Sequence, residues 1–203
     1  MKWVVGSDEA GFGTWAGDLV VAACAVTEDW KDRRVTDSKK LKQPDRERAV
    51  GRYKDKVPWE VITVSASEID DKGVWACLID AHAEAHNKLR ARLIEDGVAE
   101  SMISHIADGL ENAHLLAEKC VGQIECMAKA DLKIPAVSLA SCFAKTYQVA
   151  GMMTLDRKYP NFGFASHKGY GTALHQKALK RYGALEGVHR FSYSSIKKLP
   201  DDG

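Results

Sequence analysis

The chain has 203 residues, 45% hydrophobic and 28% charged, with 29 Lys plus Arg against 28 Asp plus Glu and a formal net charge of +1. That balance excludes disordered, collagen-like and disulfide-scaffold classes, and a chain of this length buries roughly 70% of its extended surface, enough for a core without staples. With no bulk basicity, nucleic-acid binding requires a local basic face.

Lys2 to Ser7 and Leu19 to Val26 are apolar, β-branched runs separated by a Gly-rich bend, the pattern of a hairpin or of two neighbouring strands. Asp32 to Arg52 is highly charged, with Ser38 as an N-cap candidate and Pro44 at a helix start, and Trp59 to Ser65 reads as a further strand. From Ser67 to Ile94, residues Ile69, Val74, Leu78, Ala81, Ala85, Leu89 and Leu93 recur at mostly helical spacing, which predicts one long helix. Met102 to Ala107 is a short apolar stretch stopped by Asp108-Gly109, and Val137 to Met153 is Ala-rich and helical, weakened towards Gly151. Tyr159 to Thr172 reads as a Gly- and aromatic-rich loop, and Leu174 to Tyr182 as a short basic helix. No repeat or linker divides the chain, so residues 1–203 read as a single domain with a helical extension from about residue 174.

The cysteines Cys24, Cys77, Cys120, Cys126 and Cys142 show neither a C-x-x-C pair nor zinc spacing, which points to reduced thiols in a cytoplasmic protein. Acidic residues follow the first strand too early for a signal peptide, and no run approaches the roughly 18 apolar residues of a membrane span.

Asp8 and Glu9 end the first apolar strand and run directly into Gly11-Phe12-Gly13. Carboxylates at a strand end, beside glycines that admit a ligand to the backbone, suit coordination of a hard cation. Asp108-Gly109 repeats the arrangement. His82 and His86, four apart on the long helix, lack a third ligand and read as a partly exposed helix face. No Ser-His-Asp or Cys-His motif supports a side-chain nucleophile.

These pieces occur in order with Val35-Thr36-Asp37-Ser38-Lys39-Lys40-Leu41, Ala140-Ser141-Cys142-Phe143-Ala144-Lys145, Tyr159-Pro160-Asn161-Phe162-Gly163-Phe164, His167-Lys168-Gly169-Tyr170-Gly171-Thr172, His175 and His189-Arg190. Together they resemble the type II ribonuclease H family, ribonuclease HII, across essentially the whole chain. The resemblance implies an α/β ribonuclease H-like fold, a central mixed sheet flanked by helices with a small C-terminal helical segment. It implies a monomer, with no membrane association, that hydrolyses RNA in RNA-DNA hybrids and nicks duplex DNA 5′ of an embedded ribonucleotide. Asp8, Glu9 and Asp108 are implied as catalytic metal ligands for Mg²⁺ or Mn²⁺, with one ion activating water and the other stabilising the leaving 3′ oxygen. Asp8 is implied to bridge the ions, while Glu9 and Asp108 complete the leaving-group site. Gly11, Phe12 and Gly13 are implied to contact the ribonucleotide through their backbone, Tyr170 to read its 2′-hydroxyl, and Lys39, Lys40, Lys145, His167 and Lys168 to contact phosphate.

The sequence also departs from the family pattern. Phe12 stands where Arg is usual, which removes a charge-assisted phosphate contact. Counting from Lys145 without gaps puts the family's fourth carboxylate at Val149, which cannot bind a hard cation, and leaves the Gln148 amide, a water or a carboxylate from elsewhere as substitutes. Asp131 reads as structural, or at most as supporting the ligands. The alternative implied by Val149 is a catalytically impaired hybrid-binding protein. A sliding-clamp partner is weighed too, but the last residues, Lys197 to Gly203, lack the aromatic pair of a clamp-binding tail.

Overall fold

The computed structural model describes residues 1–32, 35, 41–109 and 113–198. Lys39 and Lys40, the Ser38 cap candidate and the tail from residue 199 lie outside the described residues.

Five strands, β1 (Trp3–Ala10), β2 (Leu19–Thr27), β3 (Trp59–Val64), β4 (Ile103–Asp108) and β5 (Ile124–Met127), form one mixed sheet in the order β3-β2-β1-β4-β5. β1 continues to Ala10, so Asp8 and Glu9 belong to the strand itself. β1 and β4 run parallel with Ser7 opposite Ala107, and β4 and β5 run parallel with Asp108 opposite Met127. β2 is buried at every position but its last, as its unbroken Val and Ala run requires of a strand covered on both faces.

The helices are α1 (Gln43–Tyr53), α2 (Ala66–Lys72), α3 (Val74–Glu95), α4 (Ala113–Lys119), α5 (Pro135–Lys158), α6 (Phe164–His167), α7 (Ala173–Tyr182) and α8 (Ser194–Lys197). α1 starts with Pro44 in its first turn and Lys42 at the N-cap. The single helix predicted from Ser67 is broken in two. A reciprocal Ser65–Glu68 capping box opens α2, and Gly73, at φ +84°, closes it. The predicted loop at 159–172 contains the single turn α6.

The chain divides into two compact units. The first comprises Met1–Ala10, Val21–Ile62 and Ile79–Thr146. There Ala85, Leu89 and Leu93, one face of α3 at helical spacing, pack with Val5, Ala23 and Ala25 of the sheet. On α5, Ala136 and Val137 press against β1 so closely that a Cβ on Gly6 would sit 2.5 Å from the Val137 nitrogen. The second unit comprises Gly11–Val20, Thr63–Leu78 and Tyr147–Gly203, with a core of Ala16, Met152, Phe162, Phe164, Leu179 and Val188. Among the described residues no helix is long and apolar enough to cross a membrane. All five cysteines are free thiols.

Candidate active site

The first unit brings three carboxylates together. Pairing Ser7 with Ala107 in parallel register leaves Asp8 and Asp108 side by side, one residue further along β1 and β4. After β5 the chain turns through Lys129, in the left-handed conformation, into a 3₁₀ turn at Ala130–Leu132. The Ala130 N–H donates to Asp108 Oδ1 at 2.6 Å, and the next residue, Asp131, is fully buried. One carboxylate oxygen from each of Asp8, Asp108 and Asp131 lies within 4.8 Å of the others.

Such a cluster is electrostatically expensive without a cation. The Asp8 pKa is pushed up to about 8, first by burial and then by the negative charges of Glu9 and Asp108; hydrogen bonds from Ser141 and from the Glu9 N–H, at 2.8 Å, offset only part of that. A set of carboxylate oxygens is the donor set that hard divalent cations select, and a bound cation would offset both the burial and the repulsion that raise the Asp8 pKa. The residues fit the metal. Ser141 lies on α5, and Lys145 is one helical turn further along, partly buried.

Asp131 is the functional candidate that counting along the sequence missed. Counting from Lys145 along its helix places the fourth carboxylate at Val149. Val149 is instead a buried apolar residue of α5, 5% exposed. The extra acid enters from the turn before that helix, where Asp131, read from the sequence as structural or as supporting the ligands, sets a carboxylate oxygen beside those of Asp8 and Asp108. The Gln148 amide, considered as a substitute ligand, donates to the Lys168 carbonyl at 3.1 Å. His82 and His86 are also corrected: they are 0% and 1% exposed, not on a solvent-facing helix surface.

The second unit holds Gly11 to Gly13, His167, Lys168 and Tyr170, implied to meet the substrate, while Lys145 belongs to the first. Gly11 has φ +89°, and a Cβ there would meet the Asp18 carbonyl at 2.8 Å, so the turn requires glycine. Nothing lies within 4 Å of a Cβ placed on Gly13, which leaves its backbone approachable. Phe12 packs edge-on against Trp75 at 4.8 Å, and its carbonyl accepts from Arg190 Nη1 at 2.9 Å and from the Tyr193 hydroxyl at 2.6 Å. Tyr170 is 44% exposed.

A chain of imidazoles fixes the Tyr170 backbone. The Leu185 N–H donates to His189 Nδ1 at 2.8 Å, so the neutral His189 ring carries its proton on Nε2 and donates to His175 Nε2 at 3.1 Å. His175 Nδ1–H then donates to the Tyr170 carbonyl at 3.0 Å. Burial lowers both rings to about 4, which keeps them neutral. His167, implied as a phosphate contact, has both nitrogens engaged within the loop: Nε2–H donates to Phe162 O at 2.9 Å and Nδ1 accepts from the Gly169 N–H at 3.2 Å. Buried, with its pKa lowered by that burial, it frames the turn and does not present a cation. Lys168 folds back to donate to the Ala165 carbonyl.

A mixed sheet with strand-end acids and flanking helices is the ribonuclease H-like architecture, and solved structures share it. The ribonuclease H2 of Pyrococcus horikoshii OT3 superposes with a TM-score of 0.79 at 25% identity, covering 97% of this chain and 96% of that one. The ribonuclease HII of Archaeoglobus fulgidus, solved as a complex with PCNA, gives a TM-score of 0.75 at 27% identity over 92% and 93% of the two chains. At the sequence level, the ribonuclease HII of Halorhodospira halophila is 38% identical over 97% of this chain and 94% of its own length. Residues 5–196 match the family description Ribonuclease HII, and the chain belongs to that family of endoribonucleases.

Proposed function

We propose that this chain is a divalent-metal-dependent endonuclease that hydrolyses RNA in RNA-DNA hybrids and nicks duplex DNA 5′ of an embedded ribonucleotide, leaving 5′-phosphate and 3′-hydroxyl ends. The meeting of Asp8, Asp108 and Asp131 carries this reading, with Glu9 adjacent to Asp8 on β1. These residues would hold Mg²⁺ or Mn²⁺, which supply Lewis-acid activation of water and neutralise charge on the leaving oxygen. Burial and the charges of Glu9 and Asp108 raise the Asp8 pKa, and a bound cation would favour the ionised carboxylate. Ser141 and the Glu9 N–H hold the Asp8 carboxylate in one orientation.

Substrate choice falls to the second unit. The Gly11 to Gly13 backbone, held through the Phe12 carbonyl by Arg190 and Tyr193, offers polar groups that need no Arg at position 12. Tyr170, held through its carbonyl by His175, presents its ring to the ribose, where the 2′-hydroxyl separates RNA from DNA. Lys39, Lys40, Lys145 and Lys168 supply the local positive charge. The reading as a hybrid-binding protein without cleavage drew on Val149; a buried carboxylate at Asp131 favours the endonuclease. We place the protein in the cytoplasm as a monomer, with RNA-DNA hybrid as its partner. By similarity to the Archaeoglobus complex, a sliding clamp is a further candidate.

The test is cleavage of a labelled DNA duplex carrying one ribonucleotide, with Mg²⁺ and separately with Mn²⁺. The native chain cuts 5′ of the ribonucleotide, and Asp8→Asn does not cut while unfolding cooperatively like the native protein. Equal cleavage by the two overturns the assignment.

A further inference from the structure

The proposed function leaves unused a buried polar chain on the opposite face of β1. Side chains alternate along a strand, so Gly6 and Asp8 face α5, while Ser7 and Glu9 face α3. There the Ser7 hydroxyl lies 2.8 Å from His82 Nδ1 and 2.8 Å from His86 Nε2, which are one turn apart on α3. His86 Nδ1 lies 3.1 Å from Nδ1 of His105, a residue of β4. At the other end, His82 Nε2 makes no hydrogen bond and sits 3.6 Å from Glu9 Oε2. Ser7 and His82 are wholly buried, and His86 and His105 nearly so, so none exchanges its partners with bulk water.

Donor and acceptor counting leaves two directions for this chain, and the Glu9 carboxylate beside His82 Nε2 selects between them. Ser7 has one proton to give. With all rings neutral, the chain runs either from His105 Nδ1–H through His86 Nε2–H and Ser7 to His82 Nδ1, which puts the His82 proton on Nε2, or in reverse, which leaves Nε2 bare. With His82 doubly protonated, the chain runs the other way and Nε2 still carries a proton. Only the neutral Nδ1–H form of His82 would set a lone pair against the Glu9 carboxylate. Burial lowers His86 well below the ordinary imidazole value and His105 to about 4, so those two rings are neutral.

We propose that His82 is a positioning residue for Glu9: clamped by the Ser7 hydroxyl, it aims an Nε2–H at the Glu9 carboxylate and so fixes the orientation in which Glu9 meets a divalent cation. The inference rests on the proposed function of Glu9 as a metal ligand. The 3.6 Å separation is just beyond hydrogen-bond length, and the Glu9 side chain, 28% exposed, has the freedom to close it. Hydrogen-bonded partners of metal ligands govern ligand orientation, and losing one typically costs roughly 10- to 100-fold in metal affinity or activity.

The first experiment uses the native full chain without metal, ¹⁵N-labelled, and reads its imidazole nitrogens by long-range ¹H–¹⁵N correlation. His82 shows a protonated Nε2; a neutral His82 protonated on Nδ1 overturns the proposal, whatever any variant does. The second titrates Mn²⁺ into the native chain, His82→Ala and His82→Gln by calorimetry, with cleavage measured at limiting and at saturating Mn²⁺. His82→Ala binds Mn²⁺ about 10- to 100-fold more weakly, and saturating Mn²⁺ restores most of its cleavage. His82→Gln, whose amide N–H reaches about as far as imidazole Nε2, recovers most of the affinity. Native-like Mn²⁺ affinity in a folded His82→Ala overturns the positioning role and leaves the proposed function standing. A native chain that neither binds Mn²⁺ nor cleaves overturns the proposed function, and the inference with it.

Discussion

Arg190, fully buried in the second unit, donates to the Gly17 carbonyl from Nε at 3.1 Å and Nη2 at 2.9 Å, and from Nη1 to Phe12 O and the Tyr193 hydroxyl. Asp8, nearly as buried in the first unit, faces two further carboxylates. The guanidinium has exchanged water for carbonyl oxygens, so its charge is retained inside the protein even though burial lowers its pKa. The carboxylate has gained two hydrogen bonds, but burial first and like-charged neighbours second raise its pKa to about 8. A buried charge in which every nitrogen donates a hydrogen bond holds structure together. Buried like charges close to one another mark a place where a cation belongs, and their removal should cost function more than stability.

The largest effect that sharpens this contrast is on Asp108. Asp108→Asn lowers metal-dependent cleavage on the order of 10³-fold or more, several kcal/mol of lost transition-state stabilisation, while metal-free thermal stability stays level or rises because repulsion on Asp8 is relieved. A parallel loss of stability and activity would break the comparison. Arg190→Ala moves the other quantity. It strands the Gly17 carbonyl, leaves the Phe12 carbonyl only its Tyr193 partner and loosens the turn that carries Gly11 to Gly13, costing about 3 kcal/mol or more by chemical denaturation.

The smallest effect concerns pH. Because the folded Asp8 pKa of about 8 lies above its ordinary 3.8, the folded chain holds a proton that the unfolded chain has released between those values. Stability therefore falls as pH rises through this window. Below 6.5 the buried histidines act in the opposite sense, since their lowered pKa values disfavour the folded state as pH drops. Between about pH 6.5 and 8 Asp8 dominates: the metal-free melting temperature declines there, and either Asp8→Asn or added Mn²⁺ removes the decline. A flat profile in the metal-free native chain would contradict the raised pKa.

Much of the sheet was legible because β1, β2 and β3 are β-branched runs and α3 and α5 carry apolar residues at helical spacing. Asp8, Glu9 and Asp108 were legible as acids at strand ends beside glycines. β5 was not, because it is only four residues long with Glu125 inside it. Asp131 was missed for a related reason: β5 and the 3₁₀ turn that follows place it, and that placement depends on pairing β5 with β4, which no local pattern encodes. The buried histidines were misread because His82 and His86 at helical spacing look solvent-facing in isolation. The usable signal was Ser7, a hydroxyl inside an apolar strand, together with His105 inside another, since polar groups in two core strands need partners from a covering helix.

In the proposed site, Asp131 supplies the further carboxylate and position 149 supplies none. This assignment is tested most directly by assaying the native chain, Asp131→Asn and Val149→Asp on a duplex with one ribonucleotide in Mn²⁺. The native chain is expected to cut 5′ of the ribonucleotide, Asp131→Asn to lose cutting and Val149→Asp to gain none. A silent native chain with activity appearing in Val149→Asp would contradict the assignment.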